Sequence, residues 1–339
     1  MTIKVAINGF GRIGRCLARA IFDNNDSNLE LVAINGPAAI ETQIQLLKYD
    51  SIHGRFNAQV SAKDENTMLI NGKEIAFTRH RDPNELNWAE NNIDVVFECT
   101  GIFTSSDKAK IHLEKGAKKV LISAPAKSSD IKTIIYGVND ADFTTNDDII
   151  SVGSCTTNCL APIAKILNDS IGIEKGFMTT IHSYTNDQNI VDGSHRDLRR
   201  ARAAAISMIP TSTGAAKALG LVLPELKGKL DGGAIRVPTA NVSMVDLNFV
   251  AKKEINAGEI NEIVKQAVNS SNKMAKVVEY VTEPLVSIDF NHTTQSSCFD
   301  STLTKVIGGN FVKVCSWYDN EWGFSQRMLD LALMTKNFS

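Results

Sequence analysis

The stretch Val152–Pro162, VGSCTTNCLAP, sets two cysteines four residues apart. The letters before it, DDIISVGS, carry Ile149, Ile150 and Val152 as a short strand, and CLAPIAKILNDS after it has helical spacing. Cys155 therefore stands at a helix start, where the dipole favours a thiolate. A thiolate adds to carbonyls and a thiol does so poorly, so the chemistry on offer is covalent catalysis. Cys159, one turn on, reads as a buried structural residue. Activation needs a base, and His182 in TTIHSYTND has the best setting of the six histidines, ending a β-run beside Ser183, Thr185 and Asp187. His53, His80, His112, His195 and His292 have weaker settings, mostly loops or exposed faces, and are assigned no chemistry.

Anion-binding residues cluster further on. HRDLRRARAA packs Arg196, Arg199, Arg200 and Arg202 into seven residues. Such a run is ordinarily a solvated face or an oligomer contact, but arginine also suits bidentate phosphate binding. Thr211, Ser212, Thr213 and Gly214 precede a helical pattern and form a plausible anion nest. Arg236 stands alone among apolar residues, and a buried charge wants an anion. Together they describe a pocket for two phosphates, or for phosphate and a charged substrate.

Near the N-terminus, GFGRIG places Gly9, Gly11 and Gly14 in G-x-G-x-x-G spacing, after a strand and opening a helix. Gly9 permits the tight turn, Gly11 lets backbone approach a pyrophosphate, and Gly14 allows close helix–strand packing. The second strand, LELVAIN, ends on Asn35 and Gly36, where an NAD-preferring site usually carries an acid for the adenosine ribose. Without a carboxylate nothing there repels a 2′-phosphate, so the site accepts NADP, alone or beside NAD. The alternative is that Asn35 binds the ribose hydroxyls of NAD.

These residues need a frame. A chain of 339 residues suits two domains, and 43% hydrophobic with 22% charged residues is an ordinary globular composition. A net charge of −2 gives no reason to expect nucleic acid or a membrane as partner, and no apolar run approaches the roughly 18 residues of a spanning helix. Cys16, Cys99, Cys155, Cys159, Cys298 and Cys315 lack framework spacing and do not cluster with histidines, so reduced thiols, a cytoplasmic location and no metal site are expected. Up to about residue 150, apolar strands alternate with helices (KVAING, LELVAIN, IDVVFECTG, KKVLISAPA), the pattern of a parallel sheet covered on both faces. After Cys155 come longer β-runs (176–185, 232–238, 241–251, 310–319), which indicate a mostly antiparallel sheet in a second domain. An amphipathic helical segment at 323–336 closes the chain.

INGFGRIGR, LLKYDSIHGRF, SCTTNCLAP, IHSYTNDQ, DLRRARAA, PTSTGAAKA, RVPT and WYDNEWGFSQRM, in this order over nearly the whole chain, resemble the phosphorylating glyceraldehyde-3-phosphate dehydrogenases. The resemblance implies a Rossmann-type doubly wound domain at 1–154, completed by a C-terminal helix at 319–339, and an α+β catalytic domain at 155–318. It implies a homotetramer, with segment 184–206 lining a neighbour's cofactor site. It makes Cys155 the nucleophile towards glyceraldehyde 3-phosphate, His182 its base, and inorganic phosphate the group that resolves a thioester. Thr185, Asp187 and Arg236 would serve the substrate phosphate, and Ser154, Thr156, Arg200, Thr213 and Gly214 the attacking one, with Arg199 and Arg202 as rivals of Arg200. Arg12 and Ile13 would touch the pyrophosphate of NAD or NADP, Asn35 the adenosine end, Arg81 and Ser123 the cofactor backbone, and Asn320 the carboxamide. The chain departs from the family at Val152–Gly153, commonly Asn-Ala, at Gly36, and at Gly193–Ser194, where NAD-specific bacterial members usually carry Leu-Pro. The last two substitutions favour NADP use; Pro37, which lacks a backbone N–H, speaks against it. Erythrose-4-phosphate dehydrogenase shares the cysteine motif, but Thr185 and the TSTG nest favour the triose enzyme.

Overall fold

The computed structural model describes residues 2–24 and 28–338. Two compact units emerge, one of Met1–Ile134, Asp140–Ser154 and Ser325–Ser339, the other of Ile135–Asn139 and Cys155–Phe324. The return to the first unit thus begins at Ser325 rather than at 319. Asp319 explains the shift: its carboxylate accepts from Asn241 Nδ2 and from the backbone N–H groups of His292, Glu321 and Trp322, all of the second unit.

The first unit is built on a nine-stranded sheet in the order Lys132–Thr133, Ile149–Ser151, Lys119–Ile122, Val95–Glu98, β1 (Ile3–Asn8), β2 (Leu29–Asn35), Lys73–Thr78, Thr67–Ile70, Val60–Asp64. The strands from Lys132 to Lys73 in that order run parallel, and the last two are antiparallel. Central strands are apolar on both faces because both are covered: Val5, Ala6, Ile7, Val95, Val96 and Phe97 expose nothing. The expected strand–helix alternation lapses after α2 (Ile40–Lys48), where a hairpin replaces a crossover. Asn71 and Gly72 both take positive φ there, the requirement of a tight two-residue turn. Strand order reverses beside β1, and in such sheets ligands bind in the crevice at the carboxyl ends. Asn8, Asn35 and Glu98 end adjacent strands at that edge, in register with one another. Among the described residues three helices serve this unit besides α2: α1 (Arg12–Asp23), which opens directly after β1, α3 (Ser106–Glu114), and the C-terminal helix Trp322–Met334, which belongs to it from Ser325 on.

The second unit carries an eight-stranded sheet in the order Ile209–Ser212, Leu230–Val237, Ile173–Ser183, Ser243–Ala251, Phe311–Tyr318, Ser297–Asp300, Val278–Val281, with Lys305–Ile307 beside Phe311–Tyr318. Pairing is mostly antiparallel; Ile173–Ser183 with Leu230–Val237 and Val278–Val281 with Ser297–Asp300 are parallel. Along Ser243–Ala251 every second residue is buried, and Val245, Leu247 and Phe249 meet Leu160, Ile163 and Leu167 of α4 (Cys155–Ile171) and Leu219 of α5 (Ala215–Val222). Each such side chain contributes roughly 1.5–3 kcal/mol. Among the described residues no helix is long and apolar enough to cross a membrane.

Candidate active site

Cys155 is the first residue of α4, half-buried, with Sγ 3.6 Å from His182 Nε2. His182 is the penultimate residue of Ile173–Ser183, and the parallel register sets it beside Arg236. Its Nδ1 lies 2.7 Å from the Ser183 carbonyl, which only accepts, so Nδ1 carries the proton and Nε2 presents a lone pair to the thiol. Arg236 Nη1, 3.1 Å from Nδ1, cannot donate to that protonated nitrogen; it donates instead to the Ser183 carbonyl at 3.0 Å and to Thr185 Oγ1 at 3.4 Å. Burial, and then the Arg236 charge, hold the His182 imidazole down to about 3, so it is a neutral base at physiological pH.

The thiol is not the preformed thiolate that the helix start suggests. Burial pushes Cys155 above the usual thiol range, against the opposing Arg236 charge and hydrogen bonds from Thr156. The pair is a thiol facing the lone pair of a neutral imidazole. Thr156 is buried, and its Oγ1 shares a hydrogen bond with Tyr318 OH at 2.8 Å. Tyr318 also meets Thr180 Oγ1 at 2.8 Å and sets its ring edge-on to His182. Sequence reasoning missed Tyr318 although WYDN contains it, because a lone tyrosine carries no spacing signal. Cys159 is fully buried against Ser297 and the Ser316 carbonyl, as a structural residue should be.

Arg236 is half-buried, and among the described residues it forms no ion pair and its Nε has no hydrogen-bond partner. An uncompensated guanidinium beside the reactive pair is a seat for an anion. Arg200, by contrast, is already paired. It donates to Asp187, to Thr211 Oγ1 at 3.0 Å and to the Ser212 carbonyl at 3.3 Å, with Asp197 nearby. Asp187 thereby helps to orient Arg200. Burial would raise its carboxyl, yet Arg200 and His195 hold it below the usual range. Arg202 is tied to exposed Asp192, whereas Arg200 reaches Thr211 and the Ser212 carbonyl and Arg199 lines a cavity with Thr211 and Ser212. Thr213 Oγ1 accepts from Ala215 N–H, and Gly214 precedes α5 with open space where a Cβ would stand. Ser154 directly precedes α4. Asn320 is buried, and its Oδ1 accepts from Ser183 Oγ at 2.7 Å and Ser243 Oγ at 2.9 Å, which orients its amide N–H groups to donate.

The first unit holds a cavity of about 390 Å³ at the carboxyl ends of β1 and β2. The glycines there divide their work as the motif implies. A Cβ on Gly9, at φ +98°, would stand 2.6 Å from Thr100 N, and one on Gly14 2.3 Å from the Gly9 carbonyl. At Gly11, which caps α1 with no side chain capping the helix, a Cβ would meet nothing, so this is the open cradle. Arg12 is clamped by both oxygens of Asp50, so it and half-buried Ile13 face a pyrophosphate with backbone rather than side chain. Arg81 lines the mouth; Ser123 follows its strand, its N–H on the Glu98 carbonyl. Asn35 lines the cavity, but its carboxamide is spent: Nδ2 donates to Asn8 Oδ1 and the His80 carbonyl, and Oδ1 accepts from Thr78 Oγ1 and His80 N–H. It has no capacity left for ribose hydroxyls. Gly193 and Ser194 belong to an exposed loop of the second unit, where Gly193 N–H bonds the Ala201 carbonyl.

Residues 3–106 match the family model "Glyceraldehyde 3-phosphate dehydrogenase, NAD binding domain", and 154–320 match "Glyceraldehyde 3-phosphate dehydrogenase, C-terminal domain". The chain belongs to the glyceraldehyde-3-phosphate dehydrogenase family. Relatives of that name from Xanthobacter flavus and Geobacillus stearothermophilus are each 55% identical, and one from Cereibacter sphaeroides 56%, over 333 residues that make up 98% of both chains. The family's two domains coincide with the two kinds of sheet, one largely parallel and one mostly antiparallel. A nicotinamide cofactor suits the open cradle at Gly11, and the Cys155–His182 pair lies within the family's C-terminal domain.

Proposed function

We propose that the chain oxidises D-glyceraldehyde 3-phosphate, with inorganic phosphate, to 1,3-bisphosphoglycerate, passing hydride to NAD or NADP. The observation that carries this reading is Cys155 Sγ at 3.6 Å from the unprotonated nitrogen of His182, with Arg236 beside them. Cys155 adds to the aldehyde carbon as His182 Nε2 takes the thiol proton, and the resulting imidazolium stabilises the oxyanion of the hemithioacetal. The chemistry that a bound nicotinamide would supply is the acceptance of hydride from that carbon. What remains on Cys155 is a thioester, which keeps the oxidation energy that hydrolysis would waste. Phosphate attacks it and the thiolate leaves, completing the acyl transfer. Arg236 and Thr185 hold the substrate phosphate, and Arg200 with the Thr213–Gly214 turn receives the attacking one.

The names of the relatives support the triose substrate, and the reversible reaction serves glycolysis or gluconeogenesis as cellular ratios decide. NADP use finds support in the cavity lining, which contains no acid but does contain Arg81. A homotetramer would cover the exposed Phe177, Ile190, Val191, Leu198, Ile206 and Met208 of the second unit. The six cysteines form no disulfide, which fits the cytoplasm. The test is reduction of NAD and NADP with glyceraldehyde 3-phosphate and erythrose 4-phosphate side by side, with and without inorganic phosphate. The expected result is phosphate-dependent reduction favouring the triose; a preference for the tetrose, or indifference to phosphate, overturns the reading.

A further inference from the structure

The second strand's exit has almost nothing polar left to offer an adenosine ribose. Asn35 is saturated, Gly36 gives its N–H to the Thr78 carbonyl, and Pro37 has none. One group remains. Gln43, on α2, lines the cavity, is 4% exposed, and its Oε1 has no hydrogen-bond partner. A buried, unpartnered carboxamide oxygen is costly unless something fills it.

Gln43 also packs beside the glycine at 36. A Cβ there would stand 2.9 Å from Phe10 Cβ, the nearer obstacle, and 3.2 Å from Gln43 Nε2. The carboxamide thus lies next to the position where the missing acid would start. We propose that Gln43 is the specificity-determining residue for the adenosine ribose, accepting from a 2′-hydroxyl and, with its amide turned over, donating to a 2′-phosphate. A carboxamide presents an acceptor and a donor at nearly equal reach, so it serves either ligand, whereas a carboxylate serves only the hydroxyl. The proposal rests on the dehydrogenase reading above and deepens it: the site is built to tolerate both cofactors.

Calorimetric binding of ADP-ribose and 2′-phospho-ADP-ribose, which lack the nicotinamide, tests this without turnover. The wild-type protein should bind the two within about tenfold of each other. Gln43→Glu should weaken the phosphorylated fragment at least about tenfold relative to the other, since a hydrogen bond to a charged group becomes a repulsion. Gln43→Met, which keeps volume and apolar packing, should weaken both fragments about two- to tenfold at an unchanged melting temperature. An unchanged ratio in Gln43→Glu, unchanged affinities in Gln43→Met, or a wild-type preference above about a hundredfold for either fragment overturns the assignment. Binding of neither fragment by the wild type overturns it together with the cofactor reading. Wild-type binding with an unmoved ratio sinks Gln43 alone.

Discussion

The glycine turn at Gly9–Gly14 and the Cys155–His182 pair both hold reacting groups in place, with different parts of the chain. In the first unit three glycines within six residues shape a cradle, and what they contribute is the absence of side chains. In the second unit Cys155, His182 and Arg236 come from a helix start and two strands, and meet only because parallel register sets residue 182 beside 236. A site made of backbone is written locally. A site made of side chains is written in the sheet. The first should therefore fail through sterics, and the second through chemistry.

The largest expected effect is at the nucleophile. Cys155→Ser should abolish phosphate-dependent oxidation, by at least about a thousandfold in kcat, while calorimetric ADP-ribose binding stays within twofold or so. His182→Gln should lower kcat by about a hundred- to ten-thousandfold. The remaining rate of that variant should climb with pH towards the raised range of the Cys155 thiol, a slope that rate–pH profiles of both proteins would reveal. Arg236→Leu should raise KM for the phosphorylated triose by about a hundredfold while sparing unphosphorylated glyceraldehyde, if the guanidinium seats the substrate phosphate.

The glycines sharpen the contrast. Gly9→Ala should lose about 2 kcal/mol of stability or more in denaturant titrations, because its Cβ collides with backbone at a left-handed φ. Gly11→Val should unfold near the wild-type midpoint and yet bind ADP-ribose at least about tenfold more weakly. The smallest effect is in pH. His182 is held near 3 in the folded state against about 6.5 unfolded, so the unfolded chain binds the extra proton between those values. Stability should therefore fall as pH drops below about 6.5, and His182→Gln should flatten part of that slope in thermal melts.

Motif and environment diverged at particular residues. The helix start predicts a thiolate at Cys155, but burial outweighs the favourable terms and leaves a thiol. Thr156 reads as a phosphate ligand, and its hydroxyl also meets Tyr318, 162 residues away. Asp187 reads as a binding residue, and it also holds Arg200. Asn35 reads as the ribose contact, and its four hydrogen-bonding positions are all spent within the protein. In each case the residue type was legible and its partner was not, because hydrogen-bond capacity is used up by neighbours remote in sequence.

The amino-acid sequence by itself determined the two kinds of sheet and the glycine turn and singled out Cys155 and His182 as the candidate reactive pair, since periodicity, φ requirements and reactive residue types are properties of short stretches. Only the tertiary structure decided which nitrogen of His182 faces the thiol, that Arg236 stands uncompensated while Arg200 does not, and that Gln43 fills the space beside Gly36. The physical reason is common to all three. Burial removes water as a partner, so protonation, pairing and vacancy are settled by whatever groups the fold brings within about 3 Å.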